Sequence, residues 1–506
     1  MSVQHQDVLI IGAGISGIGA ACHLKRECPN KSVAILERRH AIGGTWDLFR
    51  YPGIRSDSDM YTFGFNFKPW TEARVLADGE SIRGYVRKTA EEYGVDQKIR
   101  FGRKVVTANW SSSDKRWHVA AVNDETGETE EYTANFLLGC SGYYNYDEGF
   151  RPEFPGEADF QGQIVHPQFW PENLDYAGKK VVIIGSGATA ITLVPNMTDK
   201  AAHVSMLQRS PTYILSVPSV DPVSKLLQKT LPAKLAYQLN RGRNIAIQRT
   251  LYKASRSRPD SVRRFILSMV KRQLVGTNIE MRHFTPDYAP WDQRLCVVPN
   301  GDLFKVLRNG KASIHTDHIE RFTANGILLK SGETLEADII VSATGLNVQL
   351  LGGVKTTVDN APIVVKEKLT YKGLMIDGVP NAAIVFGYTN ASWTLKADLA
   401  AEYVCRLLKH MDRNGYSTVE PRANNHPLSE DTVLGGLSSG YIRRAADQLP
   451  RQGSAAPWLV DQNYLRDIPQ LRFSAIEDDV LAFDGKVRGK SSVERFTAPL
   501  RAALGR

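Results

Sequence analysis

Asp7-Val8-Leu9-Ile10-Ile11-Gly12-Ala13-Gly14-Ile15-Ser16-Gly17 is the stretch that decides the fold of this chain. Val8 to Ile11 is an unbroken apolar run, as a strand covered on both faces of a parallel sheet must be. It stops at Gly12-x-Gly14-x-x-Gly17. The first glycine allows a tight turn, the second lets backbone approach a pyrophosphate, and the third lets the following helix close on the strand. The helix start offers unpaired N–H groups and a favourable dipole to phosphate. A second strand, Ser32 to Glu37, completes a βαβ unit. Glu37 lies twenty residues after Gly17. A carboxylate there accepts ribose hydroxyls and repels a 2′-phosphate, so this site suits FAD or NAD and not NADP.

Further along, Lys180 to Ile184 is another apolar strand, and the turn Gly185-Ser186-Gly187-Ala188-Thr189-Ala190 follows it. The returning strand, His203 to Gln208, leads into Arg209 and Ser210, the arginine nineteen residues after Ala190. A guanidinium beside a hydroxyl is the pair expected around a 2′-phosphate. The acid thus marks an FAD site and the arginine an NADPH site. Two such cofactors in one chain imply hydride transfer from NADPH to flavin. The five cysteines form no C-x-x-C pair, which excludes disulfide-reductase chemistry and leaves oxygen activation as the common outcome.

The fold class expected is α/β: two Rossmann-like dinucleotide-binding domains, the second inserted in the first, with a helical insertion. The division expected is an FAD-binding part at 1–146, a linker at 147–171, an NADP-binding part at 172–214, and a basic helical insertion at 215–285. The NADP-binding domain resumes at 286–345, and the FAD-binding domain returns at 346–506 with the substrate cavity. The 506 residues, 42% hydrophobic and 23% charged, are an ordinary globular balance at a length that affords a large core. An odd cysteine count, with Asp7 to Ile11 already a strand, points to reduced thiols, no secretory leader and a cytoplasmic protein. The eleven histidines show no ligand-like cluster, so no metal is expected.

The net charge of +9 is regional. Between Pro222 and Leu274 there are thirteen lysines and arginines against one acid, Asp260. Without interleaved stacking aromatics or a known module, nucleic acid is not the expected partner. The plain reading is a solvated helical surface. The sharper one is peripheral adhesion to anionic lipid, because Leu226, Leu227, Leu231, Leu235 and Leu239 recur at near-helical spacing among the basic residues.

Between the two glycine turns lies Phe160-Gln161-Gly162-Gln163-Ile164-Val165-His166-Pro167-Gln168-Phe169-Trp170-Pro171. It fits F-x-G-x-x-x-H-x-x-x-W-P and resembles the fingerprint of the type I Baeyer–Villiger monooxygenases. Gly43-Gly44-Thr45-Trp46, Arg50-Tyr51-Pro52-Gly53 with Asp57, and Pro290-Trp291-Asp292-Gln293-Arg294-Leu295-Cys296 are similar to further motifs of that family. The runs Gly43 to Tyr61, Cys140 to Phe150, Pro290 to Phe304 and Gly387 to Leu399 look like its ethionamide-activating branch. The likeness covers nearly the whole chain.

The resemblance implies a cycle in which NADPH reduces FAD, O2 adds as a C4a-peroxyflavin, and this attacks a hydrophobic ketone to give an ester or lactone. Sulfides and thioamides would be S-oxygenated. It assigns the catalytic roles to Arg294, a fixed cation for peroxide and oxyanion, and to Asp57, which would hold that arginine. His166 joins them as a hinge residue coupling domain rotation to catalysis, rather than as a general acid. Ser16, Gly44, Thr45, Trp46, Asp47, Leu48 and Val105 match positions near FAD. Arg55 and Ser56 match positions near the nicotinamide end of NADP. Asn390 and Trp393 are expected to line the flavin or substrate cavity.

Two departures stand out. Gln293 occupies the position before Arg294 where many members carry a lysine for the 2′-phosphate. Asp47-Leu48-Phe49 replaces a more aromatic stretch, which argues against small cyclic ketones. The competing readings are an S- or N-oxygenating flavin monooxygenase using C4a-hydroperoxyflavin, and a non-turnover NAD(P)H-sensing flavoprotein.

Overall fold

In the computed structural model, which describes residues 3–293, 295–424, 426–435 and 439–487, Val8, Leu9 and Ile10 are wholly buried. They belong to β1 (Gln4–Ile11), which enters the glycine turn and α1 (Ile15–Glu27). Ser16 and Gly17, read from sequence as part of the turn, are already helical. β2 (Val33–Leu36) lies parallel to β1, with Val8 opposite Val33 and Ile11 opposite Leu36. Three helices follow: α2 (Thr45–Leu48), α3 (Met60–Phe63) and α4 (Gly79–Tyr93). Then come β3 (Ile99–Arg100), β4 (Arg103–Ser111), β5 (Arg116–Asn123) and β6 (Thr129–Gly139), which runs parallel to β1 on its other side.

The chain leaves this sheet through β7 (Tyr144–Gly149) and builds a second one. Its strands are β8 (Gln163–Val165), β9 (Lys180–Ile184), with α5 (Ala188–Met197) after it, and β10 (His203–Gln208). β8 falls inside the segment expected to be a linker, because Ile164 and Val165 pair with Ile340 and Val341. β11 (Ile214–Val217) precedes three helices, α6 (Pro222–Thr230), α7 (Ala233–Ser257) and α8 (Pro259–Gln273). β12 (Cys296–Pro299) returns parallel to β11, so the helices are a closed excursion from one strand to its neighbour. After α9 (Asp302–Arg308) come β13 (Ala312–Thr316), the hairpins β14 (Ile319–Thr323), β15 (Gly326–Leu329) and β16 (Thr334–Glu336), and β17 (Ile339–Ser342). The second sheet reads β13-β10-β9-β17-β8, parallel throughout.

β18 (Leu346–Val348) pairs antiparallel with β7, so the strands that leave and re-enter the first domain form one ribbon. β19 (Lys355–Val358), β20 (Ala361–Pro362) and Ala382–Ile384 then extend the first sheet to nine strands. The fold is therefore two dinucleotide-binding α/β domains, the second inserted in the first. The long helix α10 (Trp393–Asn414) packs against α1. Small residues on α1 permit the approach of its neighbours: a Cβ on Gly19 would fall 2.7 Å from the Phe65 ring.

The helical insertion leaves the second domain but is anchored on the first. Tyr237 donates to the Phe65 carbonyl at 2.8 Å, and Arg241 donates to the Tyr61 and Gly64 carbonyls at 2.8 and 2.7 Å. Traffic also runs the other way. Leu48, Phe49 and Tyr51, from the first domain, are buried in the core of the second beside Ile191 and Val194 of α5.

Candidate active site

Both glycine turns open on one cavity of about 1070 Å³. In the first, Gly12 has φ +102°, and a Cβ there would lie 2.8 Å from the Cys140 carbonyl oxygen. A Cβ on Gly17 would lie 1.9 Å from the Gly12 carbonyl oxygen, so this glycine is needed for helix-to-strand packing and is not on the wall. Gly14 faces Gly44, whose Cα would be 3.6 Å from an added Cβ. Glu37 is 4% exposed, with one carboxylate oxygen accepting from Ala13 N–H at 2.7 Å and the other from Arg39 N–H at 2.8 Å. Burial pushes this carboxyl upward against those two bonds. Each oxygen keeps a lone pair for a further donor.

The second turn repeats the geometry. Gly185 has φ +140°, and a Cβ there would sit 2.4 Å from the Ala343 carbonyl oxygen. Nothing lies within 4 Å of a Cβ on Gly187 at the start of α5, so the helix end is open where a phosphate would sit. Ser186, Ala188 and Thr189 line the cavity, while Ala190 is buried behind them. Arg209 and Ser210 emerge exposed at the end of β10, on the same wall. Arg209 makes no ion pair with any described residue. Gln293 reaches this cavity too.

Between the turns stands the segment from Phe49 to Ser58. Arg55 donates to Asp302, at the start of α9 in the second domain, at 2.7 Å, while its second terminal nitrogen is buried without a protein partner. A buried guanidinium N–H without a partner, on a side chain that lines a cavity, is short of one acceptor. Asp57 is on the wall, within electrostatic reach of Tyr51, whose phenol burial pushes up to about 12. Tyr51 also lies near enough to Thr189 of the second turn for that side chain to oppose the shift. The Ser56 hydroxyl lies on the wall but closes a local turn with Ser58. Arg294 lies outside the described residues; Gln293, Cys296 and Val297 around it in the chain line the cavity.

The other predicted positions divide. Thr45, Trp46, Val105 and Trp393 line the cavity. The Ser16 hydroxyl accepts from the Trp393 indole N–H at 2.8 Å, tying the first helix to α10. Asp47 and Leu48 do not line it. Asp47 instead gathers Arg39, Arg50 and Arg83 at 2.8, 2.5 and 3.4 Å, and Leu48 is packed in the second domain's core. Asn390 also turns away, its amide donating to the Gln462 carbonyl at 2.9 Å. His166 is not on the wall either. It packs on Gly149 and donates to the Gly345 carbonyl at 3.2 Å, so it grips the β7–β18 ribbon. Its Nδ1 accepts from Gln168 N–H, which leaves the proton on Nε2, and burial holds it neutral by lowering its pKa.

Several wall residues had no assignable signal in the sequence. Tyr143 stacks on Trp393 with ring centres 5.2 Å apart. Tyr388 donates to Asp467 at 2.5 Å, and Asp467 also takes the fully buried Lys396 ammonium at 2.6 Å. Arg444 lies over the Phe150 ring at 3.4 Å. Tyr388 and Arg444 come from the last third of the chain, where no glycine turn recurs to flag them.

Comparison with known proteins agrees with this arrangement. A family model described as flavin-binding monooxygenase-like matches residues 5–367. The probable FAD-binding monooxygenase AlmA of Acinetobacter baylyi is 56% identical over 98% of this chain and 99% of its own length. The FAD-containing monooxygenase EthA of Mycobacterium tuberculosis is 53% identical over 95% and 98%. Among solved structures, an oxidized steroid monooxygenase bound to NADP superposes with a TM-score of 0.74 at 22% identity, covering 95% of this chain and 99% of that one. An open structure of cyclohexanone monooxygenase gives 0.67 at 21% identity, covering 83% and 90%.

Proposed function

The chain belongs to the flavin-binding monooxygenase-like family, and from that premise we propose that it is an FAD- and NADPH-dependent monooxygenase of the Baeyer–Villiger type. It places one oxygen atom of O2 beside the carbonyl of a hydrophobic ketone, giving an ester or lactone, and S-oxygenates sulfides and thioamides. The observation that carries this reading is the opening of two glycine turns, one with a terminal acid and one with a terminal arginine, on a single cavity. Bound flavin, reduced by NADPH, supplies the activation of O2.

The residues present fit both cofactors. Gly12, Gly14 and Glu37 would hold the FAD pyrophosphate and ribose, with Gly44, Thr45, Trp46 and Val105 around the rest. Gly185 to Thr189 would hold the NADP pyrophosphate, with Arg209 and Ser210 on the 2′-phosphate. The unpartnered N–H of Arg55 would bind near the nicotinamide end. Trp46, Phe63, Tyr143 and Trp393 give the wall an aromatic patch that would exclude water from bound flavin and strengthen any charge interaction made beside it.

Arg294 is assigned the fixed positive charge that stabilises the oxyanion, and Asp57 the carboxylate that positions it. The test is aerobic turnover with NADPH and ¹⁸O2 over a panel of ketones and sulfides, with product mass read directly. The wild type should yield singly labelled esters. Arg294→Ala should abolish ester formation while NADPH still reduces the flavin. Unchanged ketone oxidation in that variant would remove the assignment. No label in any product would favour a sensing flavoprotein, and label in sulfides alone would favour an S-oxygenating enzyme.

A further inference from the structure

We propose that α6, the outward face of α7 and α8 form a docking surface for an anionic lipid bilayer. The proposal stands apart from the oxygen chemistry and would survive its failure. Among the described residues, eight of the fifteen exposed large hydrophobic side chains fall between Val220 and Val275. So short a segment would hold one or two if they were scattered evenly.

Six of the eight lie on the three helices and point outward. On α6, Val223 and Leu226 are 50% and 61% exposed, one turn apart, while Ser224 between them is buried against Asn240 of α7. On α7, Tyr237 and Arg241 face the first domain and Asn240 faces α6, while Leu235 and Leu239 face away at 45% and 47% exposure. On α8, Val262, Ile266 and Val270 face inward, and Phe265 is 56% exposed. A helix that only met water would turn polar residues to these outer positions. The three helices pack side by side, α6 on α7 and α7 on α8.

Charge selects the occupant. Of the thirteen basic residues from Pro222 to Leu274, Arg241, Arg243 and Arg256 pair with Asp398, Asp221 and Asp292. The other ten make no ion pair with any described residue. Lys225, Lys229 and Lys234 flank the leucines of the α6–α7 hairpin, and Arg264 and Arg272 flank Phe265. Apolar side chains ringed by unpaired cations match an acyl boundary beneath phosphate headgroups. A nucleic acid would use the cations but leave the leucines in water. A second copy of the same face would bring like charges together. No described helix is long and apolar enough to cross a membrane, so the contact is peripheral.

The FAD-loaded enzyme is sedimented with phosphatidylcholine vesicles, with and without about one-third phosphatidylglycerol. Binding is expected only with the anionic lipid, and its loss on raising salt to about 0.5 M. Lys225→Glu with Lys229→Glu should weaken it about twenty-fold or more, each basic side chain contributing about five-fold. Leu226→Ser, Leu235→Ser and Leu239→Ser together should weaken it about ten-fold or more while NADPH oxidation and thermal midpoint stay unchanged. No binding to anionic vesicles at low salt overturns the proposal. So does retention on a soluble polyanion such as heparin without vesicle binding. Concentration-dependent dimerisation that the leucine variants abolish, again without vesicle binding, would assign the face to a second copy instead.

Discussion

Arg55 shows what a single side chain contributes when half of it is satisfied. Asp302 fixes one terminal nitrogen, and the other is buried without a protein partner on a side chain that lines the cavity. Arg55→Gln should therefore raise KM for NADPH by about ten-fold or more, the worth of one charge-assisted hydrogen bond, with the FAD spectrum unchanged. Steady-state kinetics check this; an unaltered KM would mean the unpartnered nitrogen meets no ligand. Gly387 is a second case, because a Cβ there would fall 2.2 Å from the Trp393 ring. Gly387→Ala should cost about 1–3 kcal/mol by overpacking and speed FAD loss by breaking the Trp393–Ser16 bond. Thermal unfolding and flavin fluorescence read the two effects. At this scale the sequence was clear wherever a backbone rule was at stake. Gly12, Gly17 and Gly185 stand where they must, since no other residue fits those turns. Side chains whose neighbours come from distant segments were not legible. Arg39 and Arg50 stand near Asp47 in the chain, but nothing local marks the approach of Arg83, and Asn390 carries no mark of Gln462.

The helix pair α1–α10 carries a titration that shows at the level of elements. His23, on α1, is 1% exposed and meets Asp398 of α10 at 3.3 Å and Glu27 at 3.5 Å. Burial alone would lower its pKa, but the hydrogen bond to Asp398 and the nearby Glu27 carboxylate outweigh this and raise it to about 9. The folded value lies above the unfolded one, so the stabilisation is complete below about pH 6.5 and is lost as pH rises through about 9. It amounts to about 3 kcal/mol. The thermal midpoint should fall across that window, and His23→Gln should flatten the fall; parallel curves for the two proteins would refute the assignment. Further along α10, Lys396→Met would strand Asp467 in the core and should destabilise the fold by about 3–5 kcal/mol in denaturant titration. The sequence announced α1 and α5 through their glycine turns. It showed α7 as a helix but not which face was buried, because Tyr237 and Arg241 look like surface residues until Phe65 and Asp398 arrive from elsewhere.

For the molecule as a whole, two crossings connect the domains, and they are one structure, the β7–β18 ribbon with His166 against it. His166→Ala should leave both cofactors bound and NADPH consumption within about two-fold, while product formed per NADPH drops. Paired assays of NADPH loss and ester yield decide it; equal coupling would reduce His166 to packing. The order of domains was readable because each strand-turn-helix unit carries its own signature. The exchange of residues between them was not, since an apolar triplet gives no address. Leu48, Phe49 and Tyr51 come from one side of the ribbon and complete the core on the other. Anyone recombining this enzyme with a relative meets that directly. A crossover drawn at the domain borders along the chain would transplant a core without its missing wedge. Chimaeras that move residues 46–57 together with the central domain should be the ones recovered as folded, flavin-yellow protein.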